Sequence, residues 1–406
     1  MGKVRDYTTV TGAYWVFTLT DGALRMLVLL WLHELGRSPL EIASLFLLYE
    51  FFGVVTNAVG GWLGARFGLR ATLLSGLGLQ VASFGLLAWQ AATLSVPVVL
   101  AAQGMSGIAK DLTKMSAKSY VKLVVPAGDA GGLMKWVAWL TGSKNTLKGL
   151  GFFLGGGLLA SLGFESTCLS LAAALAVAFV VSALLLPPAA GRSGAKVELG
   201  HVVSKDPRVN WLSAARLFLF GSRDIWFVLA LPVFLASVLE LSHAQVGGAL
   251  ALWVIGYGLV QASVPKLVRR ERWGDARGVG LTTALLLLPL AGMAAALGAG
   301  WSAGPTLAVG LGAYGLLFAV DSALHSYLIV AYAEAEKVSL NVGFYYSANA
   351  AGRLVGTLLS GLLFQLAGQG LAGLMTCVAG SGAFVALSAA LCVPLRSSER
   401  RAAAAT

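Results

Sequence analysis

The chain has 406 residues, of which 57% are hydrophobic and only 12% charged, and its formal net charge is +11. A soluble domain carries about twice that charged fraction, so the composition excludes an ordinary soluble protein. Long apolar runs instead of short alternating segments also exclude a transmembrane β-barrel. The sequence therefore predicts an all-α membrane protein with many spans.

Twelve apolar segments of spanning length follow in chain order, six on each side of a hydrophilic stretch from Pro187 to Pro207. The first six cover about 10–33, 40–64, 70–90, 96–122, 133–162 and 166–187. The second six cover about 209–238, 244–266, 277–298, 304–332, 339–366 and 370–394. We expect a six-helix bundle at 1–187, a central cytoplasmic loop at 188–208 and a second six-helix bundle at 209–406.

The two predicted halves resemble each other at an offset of about 203–204 residues. Phe17–Asp21 aligns with Phe220–Asp224, Asn57 with Gln261, Arg66 with Arg270, and Asn145 with Asn349. A duplicated six-helix unit with a central loop is typical of the major facilitator fold, in two pseudo-symmetric bundles. In that fold, helices 1, 4, 7 and 10 line a central cavity, and helices 2, 5, 8 and 11 flank it.

The basic residues outside the spans lie almost entirely in one set of loops. Of the 29 lysines and arginines, 19 fall in the termini and in the loops on one side, and Arg37 alone falls on the other side. This asymmetry is a strong positive-inside signal. It predicts a membrane protein with both termini in the cytoplasm, and it explains the net charge without a nucleic-acid partner.

Three lysines recur at every fourth residue inside the fourth predicted span: Lys110, Lys114 and Lys118. On a helix this spacing places them on one face, and Lys144 and Lys148 repeat it in the fifth span. A charge at membrane depth costs roughly 2.5–3.5 kcal/mol on insertion scales, so such residues face water or an opposite charge. The pattern predicts a cavity that receives an anion. For Lys118, an alternative is that its side chain extends to the membrane surface.

Further charged residues share the membrane interior with these lysines. The cations are Arg25, Arg216, Arg223 and Arg353, and the acids are Asp21, Glu50, Asp111, Asp224 and Asp321. Structural ion pairing explains some of them, since Asp21 with Arg25 and Arg223 with Asp224 are near in sequence. It does not explain all five lysines, because only Asp111 and Glu50 lie near them. We expect an anionic ligand to complete the balance.

Other polar residues in the spans suggest how a ligand could be held and how transport could be coupled to an ion. Guanidinium groups bind phosphate or carboxylate in a bidentate manner, so Arg216, Arg223 and Arg353 are expected to face the lysines across the pseudo-twofold axis. The neutral residues that could donate hydrogen bonds to the ligand are Asn57, Asn145, Tyr257, Gln261, Asn341, Tyr345, Tyr346 and Asn349, although for each one alone the sequence favours a helix-packing role over a ligand contact. The groups that could carry a coupling proton are Asp21, Glu50, Asp111, Asp224, Asp321 and His325.

No residue pattern predicts a metal site, a cofactor or catalysis. Cys168, Cys377 and Cys392 are scattered in apolar segments and form no CxxC motif, so we expect neither a disulfide nor a metal site. The chain offers no nucleophile–histidine–acid set and no nucleotide motif. A membrane enzyme, or a sensor with a soluble output domain, is therefore disfavoured, as is an exporter of apolar cations, which this cavity would repel.

Glycines and one loop motif agree with the predicted fold. Gly60, Gly61 and Gly64 in span 2 and Gly149, Gly151, Gly155, Gly156 and Gly157 in span 5 form small faces that allow close helix approach. The loop Gly61–Arg70 resembles the major facilitator signature between helices 2 and 3. Ala65 stands where that signature has an acid, which puts in doubt the latch that the acid forms in one conformation.

Four long motifs resemble the ArsJ family of organoarsenical efflux permeases. They are Ala13–Leu30, Gly107–Lys118, Leu140–Gly149 and Asn210–Phe227. The likeness covers nearly the whole chain and is weakest in helices 3, 6, 9 and 12 and the central loop. It implies export of 1-arseno-3-phosphoglycerate, made from arsenate by a glyceraldehyde-3-phosphate dehydrogenase, by a permease that we expect to be monomeric. An organophosphate:phosphate exchanger, running inward, is an alternative with the same cationic cavity.

Overall fold

Helices make up the regular structure of the chain in a computed structural model, which describes residues 2–34, 39–126, 128–188, 204–241, 243–334 and 338–404. The helices are α1 Gly2–Glu34, α2 Pro39–Phe67, α3 Leu69–Trp89, α4 Val96–Val124, α5 Ala130–Leu185, α6 Pro207–Phe227, α7 Ala230–Ser237, α8 His243–Leu267, α9 Arg270–Trp273, α10 Ala276–Leu285, α11 Leu287–Gly298, α12 Ala303–Tyr332, α13 Val338–Leu366 and α14 Gly370–Ala404. Arg37 and most of the predicted central loop lie outside the described residues.

Seven helical stretches are long and apolar enough to cross a membrane by composition alone, among the described residues. They are α3, α5, α6 with α7, α8, α10 with α11, α12 and α14. Helices α1, α2, α4 and α13 have 29 to 33 residues each, which is also sufficient for a span, and they carry most of the buried charges. Because α5 contains two spans, the arrangement is the twelve-helix fold that the sequence predicts.

Three breaks in these helices have local causes. Helix α5 bends at Gly163, which has a φ of 75°, close to the predicted boundary between spans 5 and 6. The sequence predicts one continuous seventh span at 209–238, whereas the structure divides it between α6 and α7 at Val228 and Leu229. A proline inside a helix clashes with the carbonyl four residues earlier, and Pro232 stands four residues after Val228. Pro289 explains the division between α10 and α11 at Leu286 in the same way.

Aspartates cap three helices that begin at the same membrane face. The Asp129 side chain accepts a hydrogen bond from the Gly132 N–H at the start of α5 (2.8 Å), and Asp206 and Asp275 cap α6 and α10 in the same way. We call this side, where α1, α3, α5, α6, α10 and α13 begin, the first face. The positive-inside prediction assigns the first face to the cytoplasm.

Glycines set the closest helix contacts within each half. A Cβ at Gly22 of α1 would lie 2.6 Å from the carbonyl oxygen of Lys148 in α5. A Cβ at Gly356 of α13 would lie 2.5 Å from the carbonyl oxygen of Gly221 in α6. Helices that bear charged residues can thus pack backbone to backbone, as small-residue faces permit in membranes.

The two halves meet near the first face. One buried hydrophobic cluster includes Tyr120 and Val121 of α4 together with Ile329 and Val330 of α12 and Val342 of α13. Beside it, the Lys122 ammonium donates a hydrogen bond to the carbonyl oxygen of Ala331, 3.3 Å away. The molecule is therefore closed between its halves at this face.

Candidate functional site

The lysine face of α4 lies midway along the helix. Lys110 is equidistant from the two ends of α4, Val96 and Val124. The Lys114 ammonium donates a hydrogen bond to Asp111, and the Lys110 ammonium lies 3.5 Å from the other carboxylate oxygen of that residue. Lys110 also lies 3.7 Å from the ring centroid of Tyr49, a cation–π contact. One aspartate is thus shared by two lysines.

Three predicted site lysines have no ion pair within the described part of the chain: Lys118, Lys144 and Lys148. Lys118 is 1% exposed, and its ammonium has no hydrogen-bond partner among these residues. The charged groups that act on it electrostatically are other cations: Lys144, Arg216 and Lys114. Lys118 therefore does not extend to the membrane surface in this structure.

Two arginines of the second half converge on one acid. Arg223 Nη2 lies 2.5 Å from Asp224 Oδ1, and Arg353 Nε donates to Asp224 Oδ2 at 3.1 Å. The side chains of Arg223 and Arg353 are 15% and 23% exposed, although both lie near the middle of their spans. The ion pair expected between Arg223 and Asp224 is present. Both guanidinium groups thus stay partly accessible at this depth.

The third predicted arginine of this half is part of a packed contact. Arg216 is 2% exposed, and its Nε donates to Asn349 Oδ1 at 3.0 Å. Its Nη1 donates to the carbonyl oxygen of Ser322 at 3.3 Å, and the guanidinium stacks on the Phe220 ring at 3.8 Å. Arg216 and Arg223 therefore differ in exposure, although they share a helix face two turns apart.

Tyr49 organises the acid and the arginine of α1. Its hydroxyl donates to Asp21 Oδ1 at 2.8 Å, and the Arg25 guanidinium lies 4.3 Å from its ring centroid. Sequence reasoning missed Tyr49; the available signal was a tyrosine beside Glu50 in an otherwise apolar span. The Glu50 side chain itself lies outside the described part of the structure.

The neutral residues predicted to contact a ligand mostly join helices. Asn57 is fully buried, and Asn145 Nδ2 donates to Gln261 Oε1 at 2.7 Å across the two halves. Tyr257 stacks on Trp253, with their ring centroids 5.7 Å apart. Tyr345 packs edge-on against Tyr346, whose ring lies 4.7 Å from the Lys114 ammonium, and Asn341 is 8% exposed at the start of α13. Asn145 and Gln261 thus pack against each other, whereas Asn57 donates to the carbonyl oxygen of Gly53 in its own helix.

Asp321 and His325 lie on α12, where this helix packs against α10. Both are fully buried, and the hydroxyls of Thr282 and Thr283 donate to the two carboxylate oxygens of Asp321 at 2.7 and 2.9 Å. His325 Nε2 lies 4.0 Å from Asp321 Oδ1. Asp321 therefore receives only neutral hydrogen-bond donors among the described residues. The three cysteines are also buried and separate from one another.

A family model described as Major Facilitator Superfamily matches residues 10–327, most of the chain. The chain belongs to this superfamily. No curated protein matches the sequence of this major facilitator.

Solved structures similar to this major facilitator are transporters of low sequence identity. The human organic anion transporter MFSD10 (TETRAN) is 18% identical with a TM-score of 0.74, covering 97% of this chain and 100% of that one. A bacterial homologue of the iron transporter ferroportin in its outward-facing state is 17% identical with a TM-score of 0.75, covering 97% and 99%. FucP in the outward conformation is 12% identical with a TM-score of 0.71, covering 96% and 99%. At these identities the similarity establishes the fold alone.

The closed face of this major facilitator depends on two helix pairs, one joining α2 to α13 and one joining α5 to α8. A Cβ at Gly61 would lie 2.7 Å from the carbonyl oxygen of Ser339, and a Cβ at Gly258 would lie 2.7 Å from that of Gly142. The Ser347 hydroxyl donates to the carbonyl oxygen of Val54 at 2.8 Å. Close backbone contacts thus hold α2 against α13 and α5 against α8.

Proposed function

We propose that this major facilitator exports 1-arseno-3-phosphoglycerate from the cytoplasm by alternating access, coupled to protons, and so confers resistance to arsenate. The observation that carries the proposal is the set of three lysines at membrane depth, Lys118, Lys144 and Lys148, that have no ion pair among the described residues. Uncompensated charge at this depth is costly and marks a substrate or ion pathway. A positive interior also concentrates an anion before it binds.

The distribution of charge suits a ligand with two anionic groups. Lysines occupy the α4 and α5 side, while Arg223 and Arg353 reach the interior from the other half, held by Asp224. A three-carbon molecule with a phosphate at one end and an arsenate at the other could bind both sides at once. Guanidinium forks match a tetrahedral oxyanion in geometry, and each ammonium adds a point charge.

The likeness to the ArsJ family supports the specific substrate. The motifs that carry this likeness are the segments that supply the cations: Gly107–Lys118 contains three of the lysines, and Leu140–Gly149 contains the other two. Asn210–Phe227 contains Arg216 and Arg223. The family resemblance and the charges within the spans thus point to the same side chains.

The proposal includes a setting for the transporter. We place it in the cytoplasmic membrane of a bacterium, with the first face in the cytoplasm and both termini on that side, as a monomer. Its functional partner is the glyceraldehyde-3-phosphate dehydrogenase that makes the substrate. We propose no cofactor and no resident metal.

A second function uses the same cations: exchange of an organophosphate for phosphate. One structure of similar fold is named an organic anion transporter, which is compatible with both functions. Both functions use the same cations, so the direction of flux and the identity of the exchanged ion distinguish export from exchange.

The first test measures growth. Arsenate-sensitive cells that express the chain with its dehydrogenase should grow at arsenate concentrations that stop cells expressing either protein alone. Membrane insertion is verified with an epitope tag. Unchanged sensitivity in cells with confirmed membrane expression would contradict arsenical export.

The second test separates the alternatives. Everted membrane vesicles are supplied with arsenate, glyceraldehyde 3-phosphate, NAD and the dehydrogenase, and trapped arsenic is measured by mass spectrometry. Export predicts accumulation that requires the dehydrogenase. An exchanger instead predicts uptake of labelled 3-phosphoglycerate that requires phosphate inside the vesicles.

A further inference from the structure

Asp321 accepts hydrogen bonds only from neutral groups among the described residues, a property that it shares with Asp21, which accepts from the Tyr49 hydroxyl. Asp111 is shared by Lys110 and Lys114, and Asp224 is shared by two arginines. By contrast, Asp321 accepts hydrogen bonds from the hydroxyls of Thr282 and Thr283. Asp321 makes no ion pair with a lysine or arginine among the described residues. Asp321 can thus gain and lose a proton without breaking an ion pair.

His325 completes this cluster one turn along the same helix. Its Nε2 lies 4.0 Å from Asp321 Oδ1, and both residues are fully buried. Neither ring nitrogen of His325 has a hydrogen-bond partner within the described ranges. Leaving both nitrogens of a buried imidazole without a hydrogen bond costs free energy. Exchange of a proton with Asp321 would give one of these nitrogens a partner.

One fixed cation acts on the cluster among the described residues. From α6, the Arg216 guanidinium donates to the carbonyl oxygen of Ser322 and acts electrostatically on both Asp321 and His325. The other titratable groups that interact electrostatically with Asp321 are the Tyr314 phenol of α12, the Tyr345 phenol of α13 and the Cys392 thiol of α14. The α10 side contributes only the two threonines.

Two hydrogen bonds connect the residue after Asp321 to the residue after Lys144. Ser322, the residue after Asp321, accepts a hydrogen bond at its hydroxyl from Gln261 Nε2 at 3.1 Å. Gln261 Oε1 accepts from Asn145 Nδ2 at 2.7 Å, across the boundary between the halves. Asn145 is the neighbour of Lys144 in α5. A shift of α12 at residues 321–322 would therefore act directly on the contact between the halves.

We propose that Asp321 and His325 form the proton-coupling pair of this transporter, and that Ser322, Gln261 and Asn145 transmit its protonation state to the contact beside Lys144. This inference rests on the proposed anion export. The carboxylate takes up one proton from water on one side of the membrane and returns it on the other. The step forms and breaks only the O–H bond of the Asp321 carboxyl group. Binding of an anion at the lysines and loss of that proton become linked through the position of α12.

The test compares accumulation with and without a pH gradient. Energised everted vesicles receive the dehydrogenase, glyceraldehyde 3-phosphate, NAD and arsenate, and trapped arsenic is measured with and without nigericin, which collapses the gradient. The wild-type chain should lose most of its accumulation on nigericin. Asp321→Asn should trap the same reduced amount in both conditions, because its amide still accepts a threonine hydrogen bond but no longer titrates. Asp321→Glu should restore the nigericin-sensitive part.

Each result decides one question. Absence of dehydrogenase-dependent arsenic in wild-type vesicles would refute the proposed function, whereas accumulation that ignores nigericin would refute only the coupling. Retention of the full nigericin effect in both Asp321→Asn and His325→Gln would overturn the pair. Equal inactivity of Asp321→Asn and Asp321→Glu at normal expression would assign a structural role and overturn it too. Asp21→Asn is the matched comparison: loss of the nigericin effect in that variant alone would move the proton site to α1.

Discussion

At the scale of single residues, the unusual feature is a set of amines that the protein itself leaves unmatched. Lys144 and Lys148 have no ion pair in the described ranges, and the charged groups that act on Lys118 are other cations. Like charges held together at low dielectric repel each other. Such residues weaken the fold that carries them, which agrees with the proposed anion site.

We predict that Lys144→Ala weakens binding of the anion. Loss of one charge-assisted contact to the anion costs about 1.5–3 kcal/mol, so the apparent affinity for the arsenical should fall roughly 10- to 100-fold. Thermal stability of the purified protein should stay equal or rise, because a repulsive charge is removed. Transport in vesicles and the melting temperature check the two parts.

Lys135→Ala is the matched control, since Lys135 is on the same helix but exposed near the first face. It should leave both quantities unchanged. A Lys144→Ala chain that transports normally but melts at a lower temperature would show that this lysine supports the fold instead.

At the scale of helices, close glycine contacts replace the acid that the superfamily signature has at position 65. Ala65 is fully buried and can form no ion pair. The neighbouring Gly61 instead allows α2 to meet the backbone of α13. Closure of the first face therefore depends on close backbone packing of α2 against α13, whereas the acid of the superfamily signature would contribute a charge.

We predict that Gly61→Ala opens the first face. A Cβ at this position would lie 2.7 Å from the Ser339 carbonyl oxygen and 3.3 Å from Leu340 Cα, so α2 and α13 must separate. A cysteine introduced at Ser347 reports on this, since its side chain now contacts Val54. Thiol labelling of that cysteine should increase several-fold in Gly61→Ala. The native cysteines are buried and add little background.

Gly85→Ala serves as the control, because a Cβ at Gly85 meets nothing within 4 Å. Labelling at position 347 should not respond to it. Equal labelling in the Gly61→Ala chain and its parent would show that the contact tolerates a methyl group, and closure would need another explanation.

At the scale of the whole molecule, the fold could be predicted further than the site. Apolar lengths located the spans, and the break at Gly163 lies where span 6 was expected to begin. The break before Pro232 was not expected, since the apolar run continues through it and only the missing backbone donor reveals it. The lysines could be recognised because charge in an apolar run is rare. The partnership of Tyr49 with Asp21 and that of Asn145 with Gln261 could not be recognised, because these pairs are 28 and 116 residues apart and form only in the folded chain.

The final prediction concerns motion of the halves as rigid bodies. Gly64 and Ser339 lie in different halves, and a Cβ at Gly64 would lie 3.2 Å from Ser339 Cβ. This is close to the Cβ–Cβ separation in disulfides, about 3.5–4.5 Å, so two cysteines at these positions should form a disulfide on oxidation, which holds the first face closed. Because alternating access requires this face to open, vesicle transport should fall to background and return on reduction. A cysteine at Gly280 is the control, since its Cβ would lie 3.1 Å from that of the native Cys392 within one half. Its oxidation should leave transport intact, because α10 and α14 move together; equal loss from both pairs would mean that the halves do not move as units.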